Sequence, residues 1–285
     1  MPRAPGRPAE IEAPTNRWIV HPLARRLAAS LTLTPVTPNM VSFASIVPAA
    51  GAAFAYLQWP TPWGPLVGLA GQLAWHVLDG ADGELARRTG RASPVGELID
   101  GVCDHVSQVI IYLALASSLA RTLGPREAWL IAAIAGAGHF LQANAYETGR
   151  KTYRRWVYGA AWMRQTRAGG GGVRGALAGL YVAISSLFAP GEARVERAME
   201  RAIGAGSQSA ADARALYKSM HQPLVKASGL LDSNTRTAAV FLSMLAGTAL
   251  WFFLFEAVVL SLVAVAVVWR RGVLNLRLAQ ALEAG

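Results

Sequence analysis

Apolar residues in this chain come in long unbroken runs separated by shorter polar stretches, not in the alternation of a half-buried strand. Runs at about 40–57, 63–81, 98–120, 128–147, 235–251 and 253–269 approach the roughly 20 residues that cross a bilayer core. A lone strand would leave its backbone unsatisfied there, so each run is read as a helix. The expected fold class is all-α: a polytopic membrane protein with six transmembrane helices.

The polar stretches carry patterns of their own. Residues 17–31 mix Trp18, Ile19, Val20, Leu23, Leu27 and Leu31 with Arg17, Arg25 and Arg26, the pattern of an amphipathic helix lying in the membrane interface. Pro35 and Pro38 break the chain before the first span. This divides the chain into an N-terminal segment, 1–39, with a juxtamembrane helix, and a membrane domain, 40–285. The domain contains a polar insert at about 148–234. Within it, Gly169–Gly172 reads as a flexible hinge. Residues 175–189 (GALAGLYVAISSLFA) read as an interfacial or re-entrant helix, with a seventh span as the alternative. Residues 192–218 read as a charged, Ala-rich surface helix. No internal repeat is evident.

Composition supports lipid as the solvent. The chain is 53% apolar and only 15% charged, where a soluble domain carries about 25% charge. A net charge of +10 suits nucleic acid or an anionic membrane surface. The apolar runs favour the membrane, and nucleic acid is not expected as a partner. Lys and Arg are absent from 58–62, and only Arg121 and Arg126 occur in 121–127. The N-terminal segment, the loop after the second span, the insert and the tail from Arg270 are Arg-rich. The positive-inside rule puts these, with both termini, in the cytoplasm. The expected location is a plasma membrane, such as a bacterial inner membrane. Residues 1–16 lack the apolar region of a signal peptide, so the first span is expected to direct insertion. The single cysteine, Cys103, excludes an intrachain disulfide and reads as a small core residue.

The candidate chemistry lies in 79–104, DGADGELARRTGRASPVGELIDGVCD. Asp79, Asp82, Gly83, Ala86 and Arg87 fall on one helical face, and Gly96, Asp100 and Asp104 on another. The linker 88–95, with Thr89, Gly90, Ser93 and Pro94, lets the two helices return antiparallel, so that four carboxylates meet. Gly83 and Gly96 allow a ligand or backbone close to them. Four adjacent carboxylates at a membrane boundary cannot all stay ionised and unpaired. A cation solves this, and an all-oxygen ligand set selects Mg²⁺, with Mn²⁺ as the alternative. Two ions could clamp a pyrophosphate. Arg87, two turns from Asp79, would add a fixed positive charge on a phosphate. A carboxylate at the edge of the cluster could accept a proton from an attacking hydroxyl. Intramembrane acids also serve ion or proton transport, and a catalytically inactive scaffold is a third possibility.

The complete pattern, D-x2-D-G-x2-A-R-x8-G-x3-D-x3-D, resembles the signature of the CDP-alcohol phosphotransferase family at every defining position. The tripeptide Thr37-Pro38-Asn39 at the start of the first span and the six-span layout share the resemblance; residues 160–234 do not obviously do so. It implies that Asp79, Asp82 and Asp100 are metal ligands, and that Asp104 helps to hold a second metal ion and is the candidate general base. It further implies that Gly83, Arg87 and Ser93, with Asn39, contact the CDP moiety. The implied reaction is direct attack of an acceptor hydroxyl on the donor phosphorus with release of CMP, by a homodimer embedded in membrane lipid, in phospholipid synthesis.

The acceptor has two readings. The string ARRTGRASPVGELID is similar to choline and ethanolamine phosphotransferases, which implies a CDP-aminoalcohol donor and a lipid alcohol acceptor. The basic run Arg150, Lys151, Arg154 and Arg155, with Arg236 as a further candidate, suits a phosphorylated polyol such as inositol phosphate or glycerol phosphate. That reading implies CDP-diacylglycerol as donor, as in phosphatidylinositol-phosphate synthases. The same run also fits plain anchoring against anionic lipid. His105 points about 100° away from Asp104 and reads as structural or interfacial. His76 reads as a packing residue or a neighbour of the ligands, and His139 as a hydrogen-bonded core residue.

Overall fold

A computed structural model describes residues 8–58, 60–160 and 187–284, and among these the chain is all-helical with no strand. The main helices are α1 His21–Leu31, α2 Pro38–Leu57, α3 Gly64–Thr89, α4 Pro94–Leu123, α5 Pro125–Tyr158, α6 Glu192–Gly204, α7 Ser207–Ala227, α8 Ser233–Leu245, α9 Leu250–Leu254 and α10 Ser261–Ala284. A π-helical segment, Phe255–Leu260, joins α9 to α10. Among the described residues, three helices are long and apolar enough to cross a membrane: Pro38–Leu57, Val95–Leu123 and the continuous Leu250–Ala284. The chain is therefore read as an integral membrane protein. The hinge expected at Gly169–Gly172 and most of the helix expected at 175–189 lie outside the described residues.

The contacts divide the chain into two compact units. One comprises Ala13–Ala137 and Ser233–Ala257; the other comprises Met1–Glu12, Gly138–Asp232 and Val258–Gly285.

In the first unit the α2–α3 pair is built on small residues. A Cβ at Gly71 would lie 2.8 Å from the Pro48 carbonyl oxygen and 2.9 Å from the Ala52 Cβ, and one at Gly68 would enter the Tyr56 ring. Such close approach is how helices gain contact where lipid supplies no hydrophobic drive. The Tyr56 hydroxyl, buried by this packing, donates to Gln72 Oε1 at 2.9 Å. Around the pair, Ile111, Tyr112 and Leu115 of α4, Ala128, Ala132 and Ala135 of α5, and Phe252 and Phe253 of α9 complete the core. Arg121 near the end of α4 donates to the Leu57 carbonyl at 2.5 Å, satisfying one of the open carbonyls at the end of α2.

Helix α1 lays Ala24 and Ala28 against Ala81 and Leu85 of α3. Its opposite side and the turn before it expose Trp18, Ile19 and Leu23. A helix is thus present where the sequence led one to expect it, with Val20, Ala24 and Ala28 buried, Leu27 and Leu31 packed beside them, and Trp18, Ile19 and Leu23 facing outward.

Several boundaries differ from the sequence expectation, each for a local reason. The linker expected at 88–95 shrinks to residues 90–93, because α3 runs through Thr89 to a left-handed Gly90 (φ 68°) and Ser93 caps α4 at once. Helix α5 continues to Tyr158, so the basic run lies on a helix; nothing breaks it before Gly159. The break expected near residue 252 falls instead at 246–249, where Gly247 adopts φ 87° and Thr248 accepts the Leu250 N–H at 3.1 Å. The 13-residue α8 is therefore about 20 Å long, and the final helix is longer than expected. Residues 192–218 are not one surface helix. Gly206 (φ 136°) separates α6 from α7, and both bury a face.

The second unit packs Tyr153 and Trp156 of α5, Val195 and Met199 of α6, Ala213 and Tyr217 of α7, and Leu278 of α10. Glu10 ties the N-terminal segment to it. Its carboxylate accepts from Tyr153 Oη at 2.6 Å and Tyr158 Oη at 2.7 Å, and pairs with Lys218 Nζ at 2.7 Å. Burial works to raise the Glu10 carboxyl, but these donors outweigh it and hold the group down at about 2.

Candidate active site

Two caps and one close helix pair assemble the site. Helix α3 delivers Asp79 and Asp82 from its last turns, and α4 delivers Asp100 and Asp104 from its first turns. The chain turns sharply between them through Gly90 and Ser93. The Ser93 hydroxyl accepts the Gly96 N–H at 3.0 Å, which fixes where α4 starts. Asp100 and Asp104 follow one and two turns later.

Asp79, Asp100 and Asp104 each offer a carboxylate oxygen, and these oxygens all lie within 4.8 Å of one another. Opposed ligands on one ion sit at twice the metal–oxygen distance, about 4.2 Å for Mg²⁺ and about 5 Å for Ca²⁺. The three side chains therefore fit a hard divalent cation with little movement. Asp82 is the buried member of the group, 4% exposed. Its carboxylate is within hydrogen-bonding reach of Asp100, and Ser42 Oγ of α2 donates to its Oδ2. Two like charges about 4 Å apart, at an effective dielectric near 20, repel by about 4 kcal/mol. Four such groups demand bound positive charge or shared protons. No lysine or arginine is seen paired with any of the four among the described ion pairs. A metal ion answers the charge with the donor set on hand.

The other expected site residues surround this cluster in part. Gly83 faces Arg87, whose Nη1 lies 3.5 Å from where a Cβ would be, an ordinary contact. Arg87 is exposed and pairs with Glu84 at 2.9 Å; Arg88 grips the other oxygen of Glu84, also at 2.9 Å. Gly96 faces both Ser93 Oγ and Asn39 Oδ1, at 3.3 and 3.6 Å from a Cβ position. Asn39, Ser93 and Gly96 thus share one spot, where α2 and α4 begin. Thr37 supports it by capping α2, accepting the Met40 N–H at 3.3 Å.

Arg236 is buried in the same unit as the aspartates and donates through Nε to Glu256 at 3.0 and 3.2 Å. Arg150, Lys151, Arg154 and Arg155 belong to the second unit. There Arg150 pairs with Glu147 at 2.8 Å, and Arg155 pairs with Glu196 at 2.5 Å and stacks over Trp156. His76, one turn before Asp79, bonds Thr237 Oγ1 at 2.8 Å and stacks on Trp75, so it is a packing residue beside the aspartates. His105 is exposed and bonds the Gly101 carbonyl at 2.6 Å. Cys103 is buried.

Sequence reasoning missed Ser42, Glu84 and Glu256. Ser42 carries no local signal of its role, since its partner Asp82 lies 40 residues away on another helix.

Comparison with known proteins agrees with this geometry. Residues 35–203, more than half the chain, match the family model for CDP-alcohol phosphatidyltransferase. Cholinephosphotransferase 1 of Gallus gallus is 35% identical over 114 residues, covering 40% of this chain and 32% of that protein. The human protein of the same name is 35% identical over 100 residues, 35% of this chain and 23% of its own length. Archaetidylinositol phosphate synthase of Aeropyrum pernix is 36% identical over 93 residues, 33% of this chain and 46% of that protein. The matches thus take in less than half of each relative. No solved structure matches. With the family model spanning both helices of the aspartate cluster, the chain belongs to the CDP-alcohol phosphatidyltransferase family.

Proposed function

We propose that this protein transfers a substituted phosphate group from a CDP-alcohol donor to an acceptor hydroxyl, releasing CMP, in phospholipid synthesis. The observation that carries the reading is the meeting of Asp79, Asp100 and Asp104 within 4.8 Å, with Asp82 buried beside them. Asp79, Asp82, Asp100 and Asp104 would hold divalent cations, Mg²⁺ first and Mn²⁺ as the substitute. Bound there, the ions supply neutralising charge for the donor's phosphates. Gly83 admits the nucleotide close to α3, Arg87 can turn from Glu84 to a phosphate, and Ser93 and Asn39 contact the CDP moiety. Asp104 takes the proton from the acceptor oxygen as that oxygen attacks phosphorus.

Two acceptor classes fit. The resemblance to Cholinephosphotransferase 1, with the ARRT string at 86–89, favours a CDP-aminoalcohol donor and a lipid alcohol acceptor. The match to Archaetidylinositol phosphate synthase and the basic run at 150–155 favour CDP-diacylglycerol and a phosphorylated polyol. In the second case Arg150, Lys151, Arg154, Arg155 and Arg236 would hold the acceptor phosphate. The surrounding architecture we propose has six crossings, α3 and α5 being 26 and 34 residues long. Both termini and the active site face the cytoplasm of a plasma membrane, α1 lies in its interface, and the chain acts as a homodimer.

Purified protein incubated with Mg²⁺, labelled CDP-choline or CDP-diacylglycerol, and a panel of acceptors should release CMP from one donor. Asp104→Asn should lower that release by about 10²–10⁴-fold, the range of general-base catalysis. Persistent release in the variant would overturn the mechanism. Absence of release from any donor, with cation flux through vesicles instead, would favour a transporter; neither activity would favour an inactive scaffold.

A further inference from the structure

We propose that Ser42 is the positioning residue of Asp82: its hydroxyl, buried where α2 packs on α3, locks one carboxylate oxygen so that Asp82 can serve the cation. The inference rests on the divalent-cation reading of the aspartates and goes beyond it, since Ser42 lies outside the 79–104 pattern altogether.

The geometry is specific. Ser42 Oγ donates to Asp82 Oδ2, and both side chains are buried, at 3% and 4% exposure. The same hydroxyl lies 3.3 Å from the Pro38 carbonyl oxygen one turn back. One hydrogen cannot serve both acceptors fully, and the carboxylate is the stronger of the two. Helix α2 cannot drift away from α3, because Gly68 and Gly71 seat Tyr56, Pro48 and Ala52 against α3's backbone. The serine is therefore presented by a rigid contact, not by a loop. A carboxylate held at one oxygen loses its freedom to rotate, and its remaining lone pairs are pre-aimed. Partners that orient a metal-binding side chain typically account for about 10–100-fold in metal affinity.

Ser45 supplies the control. It sits one turn further along α2, is equally buried, and bonds the Ser42 carbonyl at 2.7 Å without reaching an aspartate.

The test uses the full chain in detergent, stripped of metal with chelator and titrated with Mn²⁺, free Mn²⁺ being read by electron paramagnetic resonance. Ser42→Ala should weaken Mn²⁺ binding about 10–100-fold. Ser42→Thr, which keeps the hydroxyl, and Ser45→Ala should both stay within about threefold of wild type. Wild-type affinity in Ser42→Ala would overturn the inference. So would an equal loss in Ser42→Ala and Ser45→Ala, which would make the effect one of packing, or failure of Ser42→Thr to restore binding. If wild type binds no Mn²⁺ and Asp79→Asn changes nothing, the cation reading itself falls. If wild type binds and only the serine variants behave otherwise than expected, the serine inference falls alone.

Discussion

Removing either end of the Arg236–Glu256 pair should destabilise the protein far more than removing both. The two side chains are 3% and 0% exposed, and Arg236 Nε lies 3.0 and 3.2 Å from the Glu256 oxygens. At 3.0 Å and an effective dielectric near 20, the attraction is about 5.5 kcal/mol. Arg236→Met leaves a buried anion and Glu256→Met a buried cation, and each should cost about 3–5 kcal/mol. The double variant removes both charges and should cost about 1 kcal/mol or less, so the coupling is about 5 kcal/mol or more. Thermal unfolding in detergent reads this as a fall of about 6–20 °C for each single variant, at roughly 2–4 °C per kcal/mol. The double variant should lie within about 4 °C of wild type. Single losses that simply add in the double variant would refute the reasoning. So would single variants within about 2 °C of wild type whose KM for a phosphorylated acceptor rises about tenfold, an outcome that returns Arg236 to the acceptor.

Two further predictions concern packing and pH. Gly68→Ala should lower the thermal midpoint, because its Cβ must displace the Tyr56 ring; overpacking costs about 1–3 kcal/mol, more than the roughly 1 kcal/mol gained in helix propensity. Gly51→Ala on α2, with nothing within 4 Å of its Cβ, should keep that gain and leave the midpoint unchanged or raised. The Glu10 carboxyl falls from its ordinary 4.5 to about 2 on folding. Its hold on the N-terminal segment is thus complete above about pH 4.5 and is lost as pH falls through 2. Hydrogen exchange at Ile11 and Glu12 should be slow at pH 7 in wild type and fast in Glu10→Gln, and the difference should vanish near pH 2.

The site was legible in the sequence to the extent that it depends on helical periodicity. Asp79 and Asp82 lie three apart, and Asp100 and Asp104 four apart, so each pair shares a face once its helix forms. Gly90 and Ser93 announce a short reversal between the helices, though the linker proved shorter than the eight residues expected of 88–95. Ser42 was not legible, because nothing local marks a serine in an apolar helix as the partner of an acid 40 residues away. The end of α8 was missed because 246–249 sits within an apolar stretch; the turn depends on one left-handed glycine and one threonine cap.

The same division holds for charge. By itself the sequence determined that the chain enters lipid, that it is helical there, and that four carboxylates converge and need positive charge. Those properties follow from composition and from a repeat of 3.6 residues, both local to a segment. Only the tertiary structure decided which cations have carboxylate partners. Arg155 is held by Glu196 from another helix, and Arg236 is neutralised by Glu256, whereas Arg87 and Arg88 share Glu84, three and four residues back on their own helix, a pairing that is local. The partner of Arg155 or Arg236 is chosen by which helix packs beside it, and that is a property of the folded chain, not of the residues next to it in sequence.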